Sequence, residues 1–509
     1  MMAALSAAIL VSFLYRHTRR ITFLNDTCQF LRAARKIRRE RRFPGVLEYN
    51  LMDAHEGVEW DYPPLLILVL ALFPPTLVER RLRVFSVAND LICMLTIGLT
   101  AWAVDRRPET ALVAMALYSF TPNVIVQRMM LTARFLSIAL LTVSVGFVAY
   151  YLESGAIWAM ASAAIFAALL LLSNALATQA WVLIVLSLVA FGPARLTWMA
   201  YAAASMALCY LIARRIAWRV HRGMVTKLWV LKKYRMDDIR IGQFHLLEKI
   251  RGLARETAST FRRDLRIVVR SALFVDYPFI WTLAVPVWFG QLWLGSVDLT
   301  VWLAVLIACH LLIDSVPALR FIGPAHRYLT YGFLPAAVFI ARAVFDSPHR
   351  AMASAVLFST FACGLAVAAR RLSRLEGTYD LELSALKDIG ERLKRLPLDR
   401  ILVLPMPLSD TLGYFSDKQF LHGWASRAWG VGPRHGIYPV MERALDDVIL
   451  QFGLEAVVIK KDYVVFDELK ISLARKVADN GAYEIYAVGA GYRLVEAPPP
   501  ELRARSEYA

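Results

Sequence analysis

The residues best suited to chemistry lie between Asn25 and Pro75. Asp26 stands just after the first apolar run, where a carboxylate beside a lipid interface is placed to take a proton from an incoming hydroxyl. The same residue fits a second role. Asp26-Thr27-Cys28-Gln29 has capping-box spacing for the amphipathic basic helix expected to follow, and the two roles are compatible. Glu48, Asp53, Glu56, Glu59 and Asp61 come next, with His55 among them. Oxygen ligands of this kind could hold a divalent cation, Mg or Mn, but the spacing matches no metal motif and solvated loop charges have the same composition. Asp61-Tyr62-Pro63-Pro64 is more specific, because two prolines fix the backbone where an apolar run begins and so present Asp61 and Tyr62 at a defined depth. Simple anchoring at a lipid interface needs only the tyrosine.

Cations form a second group. Arg320-Phe321-Ile322-Gly323-Pro324-Ala325-His326-Arg327-Tyr328 lies at the lip of an apolar run, where Arg can grip a phosphate in a bidentate fork and His326 and Tyr328 add polar contacts. Snorkelling to lipid headgroups is the plainer use of such residues. A long basic segment, 214–272, carries Lys232 and Lys233 among many other cations, interleaved with Trp218 and Trp229. Asn89-Asp90, Asn123, Asn174, His310 and Asp314 are polar residues inside apolar runs, and such groups face a bundle interior as a site or a structural pair.

These residues need a frame, and composition names its class. The 509 residues are 58% hydrophobic with 13 Trp, and the mean hydropathy is +0.49, too apolar for a water-soluble globule. The net charge of +17 gathers beside apolar spans, which favours anionic lipids and lipid phosphates as partners and excludes nucleic acid. Five isolated cysteines make no disulfide framework.

Crossings about 20 residues long are expected near 2–15, 84–104, 109–127, 134–152, 155–173, 177–192, 197–213, 275–293, 298–314, 328–345 and 350–369. The expectation is therefore a polytopic α-helical membrane protein of about eleven transmembrane helices. The run 63–78 is too short to cross and reads as a re-entrant or interfacial element within an outer loop, 16–83. Short loops at Asp105-Arg106-Arg107, Gly192-Pro193-Ala194-Arg195 and His349-Arg350 then share one face, cytoplasmic by the positive-inside rule, together with the N-terminus. Segments 16–62 and 214–272 fall on the extracytoplasmic face, the second as helices in the headgroup plane. No cleavable signal stands out.

The membrane unit is expected to cover 1–370. Residues 371–497 read as a soluble extracytoplasmic α/β, Rossmann-like domain, with helices 381–396, 440–452 and 467–479 and strands 401–405, 456–459, 483–488 and 492–495. Gly489-Ala490-Gly491 reads as a hairpin turn and no nucleotide-binding fingerprint is present. The tail 498–509 reads as disordered.

Asp26-x-x-x-x-Leu31-x-Ala33-Ala34, Tyr62-Pro63-Pro64-Leu65, Thr121-Pro122, and Pro324-x-x-Arg327-Tyr328 with Pro335 together resemble the GT-C class of polyprenyl-phosphate-sugar-dependent glycosyltransferases, which includes protein O-mannosyltransferases and the lipid A aminoarabinose transferase. The resemblance implies inverting transfer of a single sugar from a polyprenyl-phosphate donor to a lipid, glycan or protein acceptor on the extracytoplasmic face, and the Ala- and Arg-rich composition is compatible with a bacterial inner (plasma) membrane. It makes Asp26 the loop-one catalytic carboxylate and puts Arg327 and Tyr328 near the donor phosphate, with 214–272 covering the donor. The stretch Gln127 to Phe135 departs from the pattern, since it lacks the second acid that many members carry there. Asp61 or another loop-one carboxylate then serves, or activity is lost. The Trp-Trp-Asp motif of oligosaccharyltransferase catalytic subunits is absent from the sequence. Two rival classes fit the same residues: a flippase or transporter of a lipid-linked substrate, and a non-catalytic relative that binds a partner.

Overall fold

A computed structural model describes residues 2–18, 26–41, 50–55, 60–127, 131–233, 296–346, 348–422 and 443–496. The expected span 275–293, the basic segment beyond 233, and the tail 498–509 lie outside these residues.

Apolar composition with few helix breakers makes the first two-thirds of the chain a helical bundle. α1 is Met2–Thr18, α2 Asp26–Glu40, α3 Leu51–His55, α4 Leu65–Ala71, α5 Pro75–Arg80, α6 Leu82–Asp105, α7 Pro108–Phe120, α8 Pro122–Gln127 and α9 Ala133–Ser154. α10 is Ile157–Leu171, α11 Ala175–Phe191, α12 Arg195–Lys233, α13 Val297–Ser315, α14 Phe333–Phe345 and α15 Arg350–Arg395. Among the described residues, 82–105, 133–154, 195–233, 325–345 and 350–370 are helices long and apolar enough to cross a membrane, and four shorter apolar helices accompany them.

Two expected spans differ in detail. The run 109–127 is broken after Phe120, because Pro122 has no N–H and its ring forces Thr121 into an extended conformation (φ −68°, ψ 117°). The expected span 197–213 runs on past a kink at Ala213 (φ −133°, ψ 36°), and the basic segment beyond it, expected as helices in the headgroup plane, is helical as far as Lys233.

Buried hydroxyls pin the bundle together, since each is bonded inside the apolar core. Tyr201 on α12 accepts from the Trp181 indole of α11 at 2.8 Å and lies 2.6 Å from the Ser144 hydroxyl of α9. Tyr118 donates to Asp90 at 2.8 Å, and Ser12 donates to the Ser119 carbonyl at 3.0 Å. Asp90 is therefore half of a structural pair. Asn174 is a helix cap, its Oδ1 accepting the N–H of Leu176 at 2.9 Å. The side chains of Asn123 and Asp314 lie outside what the structure describes.

α15 runs without interruption from the bundle into the C-terminal unit, where a boundary near 371 was expected. That unit holds a five-stranded mixed sheet in the order β2-β1-β3-β5-β4. β1 is Arg400–Leu404, β2 Gln419–Phe420, β3 Ala456–Lys460, β4 Ala474–Asp479 and β5 Tyr483–Val488. β1 pairs in parallel with β2 and β3, whereas β5 is antiparallel to both β3 and β4. α16 (Ser409–Ser416), α17 (Leu445–Phe452) and α18 (Ala490–Glu496) complete it.

Three sequence expectations are corrected here. Residues 474–479 form an edge strand rather than the end of a third helix, because Asp479-Asn480-Gly481 turns the chain back onto β5, with Gly481 in the left-handed region (φ +88°). Residues 490–496 form a helix, not a strand, and Gly489-Ala490-Gly491 leads into it rather than closing a hairpin. The antiparallel half of the sheet departs from a doubly wound arrangement.

Candidate active site

α2 is the element that carries Asp26, and four sets of contacts fix it. Its apolar face, Phe30, Leu31, Ala33, Ala34 and Ile37, packs in one buried cluster with Leu66, Ile67 and Leu70 of α4 and Val78 of α5. Arg35 donates to Glu79 of α5 at 2.6 Å. Arg38 donates to the carbonyls of Ala71 and Leu72 at 3.1 Å, satisfying the open C-terminal end of α4. At the first turn, the buried Thr27 hydroxyl accepts the backbone N–H of Leu131 at 2.9 Å, which ties the residue beside Asp26 to the stretch that starts α9.

The C-terminal unit grips the same helix. Arg32 lies over Gly413 of α16 and donates to the carbonyl of Lys418 at 2.9 Å. Arg35 stacks on the Tyr414 ring with its guanidinium 4.3 Å from the centroid. Cys28 is buried beside Thr411, and burial pushes its thiol far above the usual range, so it is inert packing.

Tyr62 sits at the centre of the charges. The Trp60 indole donates to the Tyr62 carbonyl at 2.7 Å, and the Tyr62 ring lies 6.3 Å from that of Phe30. Burial pushes the phenol above its ordinary range; the Asp26 charge raises it further, while Arg134 and Arg327 pull it down. One phenol therefore feels Asp26 from loop one, Arg134 from the first turn of α9 and Arg327 from the 3-10 turn Ala325–Gly332. Tyr331 of that turn feels both guanidiniums as well and lies 3.4 Å from the Ser137 hydroxyl of α9. Asp26, Arg134, Arg327 and Tyr331 therefore all lie within electrostatic range of Tyr62.

The other expected residues fall around this group in different ways. Asp61 packs its carboxylate against the backbone of α12 at Gly223, where a methyl group would collide with it. Tyr328 is fully buried and donates its hydroxyl to Gln179 of α11 at 2.9 Å, so it anchors the turn that presents Arg327. His326 is half-buried on that turn. Lys232 and Lys233 are exposed at the end of α12; Lys232 lies 5.8 Å from the Phe321 ring and Lys233 5.3 Å from that of Trp229. Arg320 is on the neighbouring 3-10 turn Pro317–Ile322, and its side chain lies outside the described residues.

The acidic half of loop one is described only in part. Glu48, Glu56 and Glu59 lie outside the described residues, as does the Asp53 side chain. His55 packs edge-on against Phe452 at 5.1 Å, and Leu51 and Met52 join the core of the C-terminal sheet with Leu402 and Leu445. Among the described residues no group of three or more His, Cys, Asp or Glu could hold a metal ion.

Two members of the group, Arg134 and Tyr331, were not singled out from the sequence. The signal for Arg134 was its place at the lip of an apolar run, the same argument that picked out Arg327. Tyr331, one turn beyond Arg327, carried no separate signal.

No family model and no curated protein matches the chain. Among solved structures, it shares its fold with the archaeal oligosaccharyltransferase AglB from Archaeoglobus fulgidus, in complex with an inhibitory peptide and a dolichol-phosphate (TM-score 0.56, 12% identity, covering 90% of this chain and 69% of that one). It shares it equally with ArnT from Cupriavidus metallidurans in the apo state (TM-score 0.54, 13% identity, 98% and 99% covered) and bound to undecaprenyl phosphate (TM-score 0.54, 12% identity). The fold is that of the GT-C class.

Proposed function

We propose that the chain is an integral-membrane glycosyltransferase that moves a single sugar from a polyprenyl-phosphate donor to a lipid, glycan or protein acceptor on the extracytoplasmic face. The observation that supports this reading is that one residue, Tyr62, lies within electrostatic range of the Asp26 carboxylate and of the Arg134 and Arg327 guanidiniums, in a bundle with the GT-C fold. The dolichol-phosphate and undecaprenyl phosphate bound to its structural neighbours support the same donor class.

Displacing phosphate from an anomeric carbon needs a base for the acceptor and positive charge on the leaving oxygen, because the transition state is oxocarbenium-like. Asp26 takes the acceptor hydroxyl proton as that oxygen bonds to the anomeric carbon. The carbon–oxygen bond to phosphate breaks with its electron pair left on the phosphate, where Arg327 and Arg134 receive it in charge-assisted hydrogen bonds. Attack opposite the leaving group inverts the anomeric centre. Tyr62, its proton held by burial and by Asp26, is a donor throughout the physiological range. Lys232, Lys233 and the basic segment beyond them attract the anionic carrier to the membrane surface.

The test is Asp26→Asn in purified full-length protein, with a panel of polyprenyl-phosphate sugars. Undecaprenyl phosphate binding should persist while transfer falls by about 100-fold or more, the scale of general-base catalysis. Undiminished transfer removes Asp26 from the reaction. Wild-type protein that moves lipid-linked sugar across a vesicle without transferring it is a flippase, and one that consumes no donor is a binding protein.

A further inference from the structure

Arg327 is carried on an uncommon winding. Residues 325–345 run as one apolar helix, and its first eight residues, Ala325–Gly332, are wound as a 3-10 helix. Such windings seldom exceed about four residues because their hydrogen bonds are poorly aligned, so eight in a row need support from outside. Part of the reason is local. Pro335, in the first turn of α14, has no N–H to offer the Tyr331 carbonyl and its ring crowds that oxygen, so α-helical bonding does not extend back through this point. Upstream the bonds run three residues apart. The Arg327 N–H donates to the Pro324 carbonyl at 3.0 Å, and the Thr330 hydroxyl donates to the Arg327 carbonyl at 2.6 Å.

Three residues per turn puts Tyr328 and Tyr331 on one face and Arg327 on the next. Both tyrosines are buried, and each meets a different helix. The Tyr328 hydroxyl donates to Oε1 of Gln179 on α11 at 2.9 Å, whereas Tyr331 lies 3.4 Å from the Ser137 hydroxyl of α9. The second distance is at the limit of a hydrogen bond, so Gln179 holds the turn more firmly. Gln179 is itself well fixed. It stands in the second turn of α11, whose start is capped by Asn174. Just before that cap, the Leu172 carbonyl accepts the N–H of Leu65, three residues beyond Tyr62, at 3.0 Å. One end of α11 therefore sets both the segment that bears Tyr62 and the turn that bears Arg327.

Relaxation from 3-10 to α winding changes the rotation per residue from about 120° to about 100° and the rise from about 2.0 to about 1.5 Å. Over the four residues from Tyr331 back to Arg327, the guanidinium would turn by about 80° around the axis and shift by about 2 Å along it. A shift of that size breaks a hydrogen bond. We propose, on the reading of Arg327 as a phosphate ligand, that Gln179 is a positioning residue for the lipid-borne phosphate: its bond to Tyr328 keeps 325–332 wound tight and so keeps Arg327 where the phosphate binds.

The test follows undecaprenyl phosphate affinity and thermal unfolding of the full-length protein. Gln179→Leu removes the acceptor with little change in size, and Tyr328→Phe removes only the hydroxyl. Each should weaken undecaprenyl phosphate binding about tenfold or more, approaching the loss in Arg327→Ala, and the pair together should lose no more than either alone. In an Arg327→Ala background, Gln179→Leu should change affinity by less than about twofold, because it acts through the missing guanidinium. A general loosening of the bundle would instead weaken binding in both backgrounds. Unchanged affinity in Gln179→Leu or Tyr328→Phe, or equal losses with and without Arg327, overturns the assignment while leaving Arg327 as a phosphate ligand. Wild-type protein that binds no undecaprenyl phosphate defeats the functional reading, and the assignment with it.

Discussion

Replacing Thr27 with Val deletes one hydroxyl at the point where loop one meets α9. The side chain is fully buried, and its oxygen accepts the Leu131 N–H at 2.9 Å across 104 residues of sequence. Valine fills nearly the same space, so packing survives while a buried N–H loses its acceptor, a change worth about 1–3 kcal/mol. The thermal midpoint should drop accordingly. The more telling effect is on rate, because the bond holds the residue after Asp26 to the stretch that carries Arg134 three residues on. The proposed base and the proposed phosphate ligand are thereby kept in mutual register, and a displacement of about 1 Å between reacting groups can cost on the order of 100-fold. The assay is turnover of whichever polyprenyl-phosphate sugar the wild type consumes, alongside undecaprenyl phosphate affinity. Turnover should fall about 10- to 100-fold with affinity changed by less than about threefold, since both guanidiniums remain. Thr27→Ser should restore it. A Thr27→Val protein that is less stable yet turns over at the wild-type rate refutes the reasoning and leaves the bond a purely architectural one.

Other outcomes follow from the same geometry. Arg134→Ala and Arg327→Ala should each weaken undecaprenyl phosphate binding about 10- to 100-fold, the loss of one charge-assisted bond, and the double variant should fall short of the product because the two cations share a ligand. Gly223→Ala should destabilise by about 1–3 kcal/mol, since the added methyl meets the Asp61 carboxylate, and a smaller residue at 61 should relieve it in a double-mutant cycle. In the C-terminal hairpin, hydrogen bonds from Lys461, the Gly481 N–H and Lys476 hold the Asp479 carboxyl well below its usual range. A depressed carboxylate contributes stability above its unfolded value near pH 4 and loses it as pH falls through the folded one. The gap in thermal stability between wild type and Asp479→Asn should therefore narrow as the medium is acidified below about pH 4, and a gap that widens there contradicts the assignment.

Hydropathy and charge made the bundle, α2 and the Arg327 turn legible, because each is a local pattern. What escaped was set by partners distant in sequence. Asp467 to Asp479 reads as helical because Leu469, Leu473 and Val477 recur every four residues, yet pairing with β5 turns its second half into a strand. Asp479-Asn480-Gly481 was the stronger signal there. Leu51 and Met52 are ordinary loop residues until a sheet some 350 positions later takes them into its core. Within the candidate site, Arg134 stands in a stretch where the resemblance leads one to expect an acid, so no motif marks a cation there. The charge that stands there is of the opposite sign, and only its approach to Tyr62 marks it.

α15 is one unbroken rod of 46 residues, about 69 Å long. Its second half holds Leu386, Ile389 and Leu393 against the sheet, so it has no joint at the water boundary about which the outer unit could swivel independently. If the embedded half tilts by about 10°, the tip some 38 Å beyond sweeps about 7 Å. Because Arg32 and Arg35 couple that tip's neighbours to the helix bearing Asp26, bilayer thickness becomes a mechanical input to the proposed base.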